Sequence, residues 1–283
     1  MSKIAIITDT DCSLPADVSR KHGIRQVPIT VHFDTQTFST GVDIDDTLLF
    51  KKIDQLNKLP TTSAPSPGAF VNAYQEAFDG GAEEIVCICV SSKVSATYGA
   101  AVDAAGGFPG RAIRVIDSLS LCMGQGFMVL AAAEAAAAGA SLEEVVAKAE
   151  EVGRRQHLYA VLATLKYLAL SGRVGKLVAG MADTLNIKPI LTIQDGKLDL
   201  LEKVRTRKKA IDRMLDLTGQ SLDGRQIERV AIIHVTNPEG ARELEALVRS
   251  QFRYTGPVIT AEFSAGLSVH AGAGVVGVVV QTS

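Results

Sequence analysis

EIVCICV, residues 84–90, is an almost unbroken apolar run, the pattern of a strand covered on both faces rather than one turned half to water. Its neighbours repeat the theme. KIAIIT (3–8), RQVPITVHF (25–33) and RAIRVID (111–117) are short β-rich runs, each set off by a helix-sized segment. That alternation reads as βαβ units around a parallel sheet. Helices are predicted over about residues 46–57, across SPGAFVNAYQEAF and SSKVSATYGAAVDAA, and along an Ala-rich stretch that stops at Gly139, glycine being the usual C-terminal stop. Ser141 and Glu144 have the S-x-x-E spacing of a capping box, which starts another helix running to about Arg155.

Past that helix the rhythm changes. YAVLAT reads as a strand and LKYLALSGR as a short helix, while IKPILTIQ and KLDLLEKV flank Asp195-Gly196 as the arms of a hairpin. RTRKKAIDRMLDL and PEGARELEALVRSQF are helical patterns between the strands RVAIIHV, PVITAEF and VVGVVVQ. A hairpin among helices implies a mixed sheet. The fold class is therefore α/β in two domains: a parallel-sheet α/β domain over residues 1–157 and a mixed-sheet α+β domain over 158–283.

Composition supports this and narrows the function. With 283 residues, 47% hydrophobic against 21% charged, the chain has apolar material for one or two packed cores. It carries 29 basic and 31 acidic residues, so no excess charge attracts nucleic acid. The start MSKIAIITDT lacks the basic-then-apolar build of a signal peptide, and no 18-residue apolar run follows; a cytoplasmic location is expected. Of Cys12, Cys87, Cys89 and Cys122, the C-x-C pair falls inside a strand and on one face of it. Metal sites favour loops and C-x-x-C spacing, so the reading is packed reduced thiols, with no metal and no cofactor.

Three segments could hold a ligand. In TTSAPSPG (61–68), Ser66 is the predicted N-cap and Pro67 the first helical residue; Thr61, Thr62 and Ser63 are left over, hydroxyls beside helix N–H groups at the sort of loop where α/β proteins bind ligands. In SSKVSATYG (91–99), which follows the buried strand and opens a helix, Ser92 is the candidate cap and Ser95 falls in the first turn, an arrangement read first as capping and second as anion binding. VHAGAGVVG (269–277) holds a G-x-G-x-x-G string at Gly272, Gly274 and Gly277. It runs into a strand rather than opening a helix, so it is no dinucleotide fingerprint; the glycines let backbone approach closely beside His270, itself either structural or a ligand group. No nucleophile elbow or phosphate-binding loop is present. The basic run 203–209, with Arg205 and Arg207, reads as a solvated helix start or as a docking patch for an acidic partner or phosphate.

Taken in order, ITDTDCSLP, VPITVHF, GVDI, TTSAPSPGAF, SSKVSATYGAA, VIDS with MGQG, LKYLALSGRVG, IKPILTIQDGKLDLLEKVRTRKKA and VHAGAG span the chain and together resemble the DegV family. The resemblance implies a lipid site between two domains and a fatty-acid carboxylate held by Thr62, Ser95 and His270, supported by Ser63, Ser92, Thr97, Arg173 and Gly272. It further implies a non-catalytic role as the lipid-presenting subunit of a bacterial fatty acid kinase, in which a separate kinase subunit phosphorylates the bound acid. Arg205 and Arg207 are then the expected contacts to that partner or to phosphate, and passing membrane contact for lipid exchange fits the same picture. Ala64, Ala96 and Ala273 stand where Gln, Gly and a bulkier residue are common in the family, which bears on which acid fits. Two other readings are a small-molecule hydrolase using Ser95 with His270 as base, and a regulatory protein that senses lipid.

Overall fold

The computed structural model describes residues 4–172 and 187–283. In the first half, β1 (Ile4–Asp9) leads through a 3-10 turn (Thr10–Cys12) to α1 (Ala16–Lys21), β2 (Arg25–Val27), β3 (Thr30–Phe33) and β4 (Gln36–Ser39). Then come α2 (Asp46–Leu56), β5 (Thr61–Ser63), α3 (Pro67–Asp79), β6 (Glu84–Cys89), α4 (Thr97–Ala105), β7 (Ala112–Asp117), α5 (Cys122–Ala137) and α6 (Leu142–Arg154). The rest holds β8 (Gln156–Val161), α7 (Lys166–Ser171), β9 (Lys188–Gln194), β10 (Lys197–Val204), α8 (Arg207–Leu222), β11 (Ile227–His234), α9 (Pro238–Phe252), β12 (Val258–Glu262), α10 (Ala265–Ala271) and β13 (Val276–Thr282).

The expected fold class is what these elements build. β2-β1-β6-β7 form an all-parallel sheet, with β6 buried along all but its first residue. Cys87 and Cys89 lie on one face of that strand with sulfurs 3.7 Å apart, both buried. β10-β9-β8-β13-β11-β12 form the mixed sheet, antiparallel throughout except for the β11–β12 pair. At the β9–β10 turn Asp195 and Gly196 both have positive φ, 49° and 78°, as a two-residue hairpin turn requires.

One strand expectation is corrected. RQVPITVHF is not a single strand: β2 ends at Val27 in the parallel sheet, and β3 starts at Thr30 in a separate antiparallel sheet, β4-β3-β5. Pro28 between them has no N–H to offer a ladder, which ends one strand and frees the chain to start another. This small sheet is what carries Thr62.

The Ala-rich α5 is buried nearly all round, the mark of a helix enclosed by core on every side. It packs in one apolar cluster with Ile4, Ile6, Val86 and Ile88 of the parallel sheet and with Leu158, Ile233 and Val279 of the mixed sheet. Small residues permit that approach: a Cβ on Gly126 would stand 3.0 Å from the Cys12 carbonyl oxygen. The next helix starts as its sequence requires, Ser141 Oγ accepting the Glu144 N–H at 3.4 Å while Glu144 accepts the Ser141 N–H at 2.8 Å. Among the described residues no helix is long and apolar enough to cross a membrane.

Candidate functional site

In the parallel sheet, the chain passes from β1 to β2 on one side and returns to β6 on the other. The crevice at the carboxyl ends of β1 and β6 is therefore the switch point at which open α/β sheets place ligands. Here Asp9 stitches the two strand ends. Its carboxylate accepts the N–H of Asp11 at 2.9 Å and that of Val90 at 2.8 Å, and the buried Gln125 amide donates to it at 3.1 Å. Burial raises the carboxyls of both Asp9 and Asp11, and the neighbouring Asp11 raises Asp9 further.

A cavity of about 490 Å³ opens from this crevice, within the range of roughly 300–1,000 Å³ common for small-molecule sites. Thr62, Ser63, Ser92, Ser95 and His270 all reach its wall, although they lie on three separate segments. Its apolar lining includes Ile29, Val94, Leu121, Leu198 and Leu267. Thr62 and His270 also line a second cavity of about 710 Å³, bounded by Leu59, Lys166, Tyr167 and Leu170.

Thr62 is the middle residue of β5, opposite Val31 of β3, and its Oγ1 is 2.9 Å from His270 Nε2. Ser63 points the other way, as strand alternation demands, and its Oγ is 3.0 Å from His32 Nε2. Ser95 Oγ accepts the N–H of Thr97 at 3.3 Å and lies 2.8 Å from the Thr97 hydroxyl. Thr97 is fully buried and acts behind Ser95 rather than in the cavity.

The expectation for Ser92 is corrected. α4 starts at Thr97 with Ala96 at its cap position, not directly after the strand, so Ser92 caps no helix and Ser95 precedes the first turn instead of lying in it. The reason is local: Val94 and Ser95 donate their N–H groups to the Ser91 carbonyl, both at 3.1 Å, closing a separate turn before the helix. Ser92 keeps a place on the cavity wall. Its N–H is held by Asp117 at 3.1 Å.

Gly272, at φ 78°, lies against α7, where an added Cβ would come within 2.7 Å of Tyr167 Cε2. It supports the Tyr167 wall of the second cavity. Arg207 donates to the Gly274 carbonyl at 3.1 Å, so it braces the glycine turn beyond His270. Arg205 is exposed in the connection between β10 and α8. Arg173 lies outside the described residues.

The sequence reading missed α10, which carries Leu267 and His270, and it missed Asp11 as a cavity residue. Ser264 was the available signal for the helix: its Oγ accepts the Leu267 N–H at 3.2 Å, an ordinary N-cap. Nothing in the string ITDTDCSLP separates a buried acid from an exposed one.

The DegV family model, described as one of uncharacterised proteins, matches residues 3–283. The chain belongs to the DegV family. A DegV domain-containing protein of Caldanaerobacter subterraneus is 36% identical over 98% of each chain. A solved DegV family protein of Thermus thermophilus, described by its fatty acid binding, is 31% identical over 99% of both chains with a TM-score of 0.92. DegV of Bacillus subtilis, described as a fatty acid binding protein, is 28% identical over 100% of both chains with a TM-score of 0.88. The DegV fold thus extends over this whole chain, and the switch-point cavity falls within it.

Proposed function

We propose that this protein binds a long-chain fatty acid between its two halves, residues 1–157 and 158–283, with the carboxylate at Thr62, Ser95 and His270. The observation that carries this reading is that both hydroxyls are engaged from behind. Thr97 donates its N–H to Ser95 Oγ and its hydroxyl lies 2.8 Å away, and Thr62 Oγ1 lies 2.9 Å from His270 Nε2; with the Thr97 hydroxyl and the Nε2-protonated imidazole as donors in these two contacts, the Ser95 and Thr62 hydroxyl hydrogens can turn into the cavity. Two such donors suit a carboxylate, whose charge-assisted hydrogen bonds are roughly twice as strong as neutral ones. Asp11 is a second acid in the same cavity; burial raises its pKa, and its carboxyl already accepts the Ser264 hydroxyl at 2.6 Å. The apolar lining takes the acyl tail, each buried methylene contributing about 0.8 kcal/mol. Supporting this reading, the Thermus and Bacillus relatives are described as fatty acid binders.

In this proposal the protein carries out no chemistry and needs no cofactor. It presents the carboxylate to a separate kinase subunit, which phosphorylates it to an acyl phosphate; Arg205, exposed beyond β10, is the contact to that subunit or to phosphate. The work takes place in the cytoplasm, with brief membrane contact when lipid is exchanged. A hydrolase would need Ser95 bonded to His270, whereas the imidazole Nε2 meets Thr62 and Ser95 meets Thr97. The test is reconstitution with a fatty acid kinase subunit, ATP and palmitate. Acyl phosphate formed only when both proteins are present supports the reading; phosphorylation that ignores this protein, or ester hydrolysis lost in Ser95→Ala, refutes it.

A further inference from the structure

α10 has seven residues, too few for a helix to keep its place through its own backbone hydrogen bonds. What fixes it comes from outside. At its start Ser264 Oγ donates to Asp11 at 2.6 Å while capping Leu267, and the Ser264 N–H reaches Ser13 Oγ at 3.3 Å. One turn later the fully buried Ser268 donates to Asp46 Oδ2 at 2.8 Å. Two residues beyond that, His270 meets Thr62.

Asp46 is the first residue of α2 and is itself buried. Packing alone gives no reason for an acid there. Ala265 and Val269 already join the apolar cluster of Leu49 and Ile53, and burying a carboxyl is unfavourable unless a specific partner compensates it. The partner is the hydroxyl on the helix that carries His270. At the other end a Cβ on Gly266 would stand 2.9 Å from Asp11 Oδ1 and 2.9 Å from Ile29 Cγ2, so α10 sits against its anchor with no side chain between them.

We infer that Asp46 is a positioning residue for the fatty-acid site, holding α10 through Ser268, with Asp11 and Ser264 as the matching anchor, so that His270 Nε2 stands against Thr62 Oγ1. The inference rests on the fatty-acid reading of the cavity. Asp46 is not on that cavity's wall, so its effect on a lipid passes through the helix.

The experiment measures displacement of cis-parinaric acid by palmitate and the ¹⁵N signals of the His270 imidazole. Asp46→Ala and Ser268→Ala are each expected to weaken palmitate binding about tenfold, as loss of one buried hydrogen bond that holds the helix implies, and to shift the His270 signals. The double variant should lose no more than either single one. Asp46→Asn, which keeps an acceptor for Ser268, should restore both readouts. Folded Asp46→Ala with native affinity and native His270 signals overturns the inference, as does failure of Asp46→Asn to restore them. If Asp46→Ala does not fold, Ser268→Ala decides by the same criteria. If the unaltered protein binds no palmitate, the fatty-acid reading fails by itself; the His270 signals then judge the tie alone, and unmoved signals overturn it.

Discussion

Thr62 and His270 lie 208 positions apart in the chain, yet their side chains meet at 2.9 Å. One comes from the edge of a three-stranded sheet and the other from the penultimate position of α10. The pair stands on the wall of both the switch-point cavity and its larger neighbour. Partners that act together are non-additive on removal. Thr62→Val and His270→Ala should each weaken palmitate binding about tenfold, and the double variant should fall well short of the product. Fully multiplicative losses in titrations of the three variants would show that the pair does not act as a unit.

Stability should depend on pH through Asp46. Burial, aided by Glu262 and Asp45 and opposed by the Ser268 hydrogen bond, raises its pKa from 3.8 to about 7. The folded protein therefore keeps a proton that the unfolded chain releases near pH 4. The stability this contributes is fully present below that point and lost as pH rises towards 7. Asp46→Asn should remove that share of the slope and be more stable than the unaltered protein at pH 8, by on the order of 1–3 kcal/mol. Urea unfolding at several pH values checks it; parallel stability curves for the two proteins contradict it.

The hairpin between β9 and β10 makes a further prediction. The Gly196 carbonyl accepts the Ser91 hydroxyl at 2.7 Å, which ties the strand bearing Leu198 to the loop leading to Ser95. Gly196 has φ 78°, and an added Cβ would stand 2.6 Å from Ser91 Oγ. Gly196→Ala should cost about 1–2 kcal/mol, read as a lower thermal midpoint, and should speed fatty acid release. An unchanged midpoint and release rate would show that the hairpin tip is not held there.

Arg205 and Arg207 should behave differently although two positions separate them. Arg205→Ala is expected to weaken association with the kinase subunit while bound lipid is retained. Arg207→Ala removes the donor to the Gly274 carbonyl and should lower stability by about 1 kcal/mol. Co-purification and thermal unfolding distinguish the two. Loss of lipid in Arg205→Ala would end the partner-contact role.

Period and turn chemistry made most of the fold legible. EIVCICV, Ser141 with Glu144, and Asp195-Gly196 each announce their element, because the signal lies within a few residues of its effect. RQVPITVHF misleads because two strands of different sheets abut at Pro28, and only tertiary pairing separates them. For the site, motif order named Thr62, Ser95 and His270, and all three reach one cavity wall. Asp11 and Asp46 were not legible as anchors. Their burial and their serine partners at 264 and 268 depend on contacts more than 200 residues distant in the chain, which no local pattern records.

A fatty acid in the cavity, with its carboxylate at Thr62, Ser95 and His270, should survive purification of the protein. Organic extraction followed by mass spectrometry detects it. The unaltered protein should yield a near-stoichiometric long-chain monocarboxylic acid, strongly depleted when Thr62→Val, Ser95→Ala and His270→Ala are combined. An extract free of fatty acid, from a folded protein that gains no thermal stability with palmitate or oleate, would contradict it.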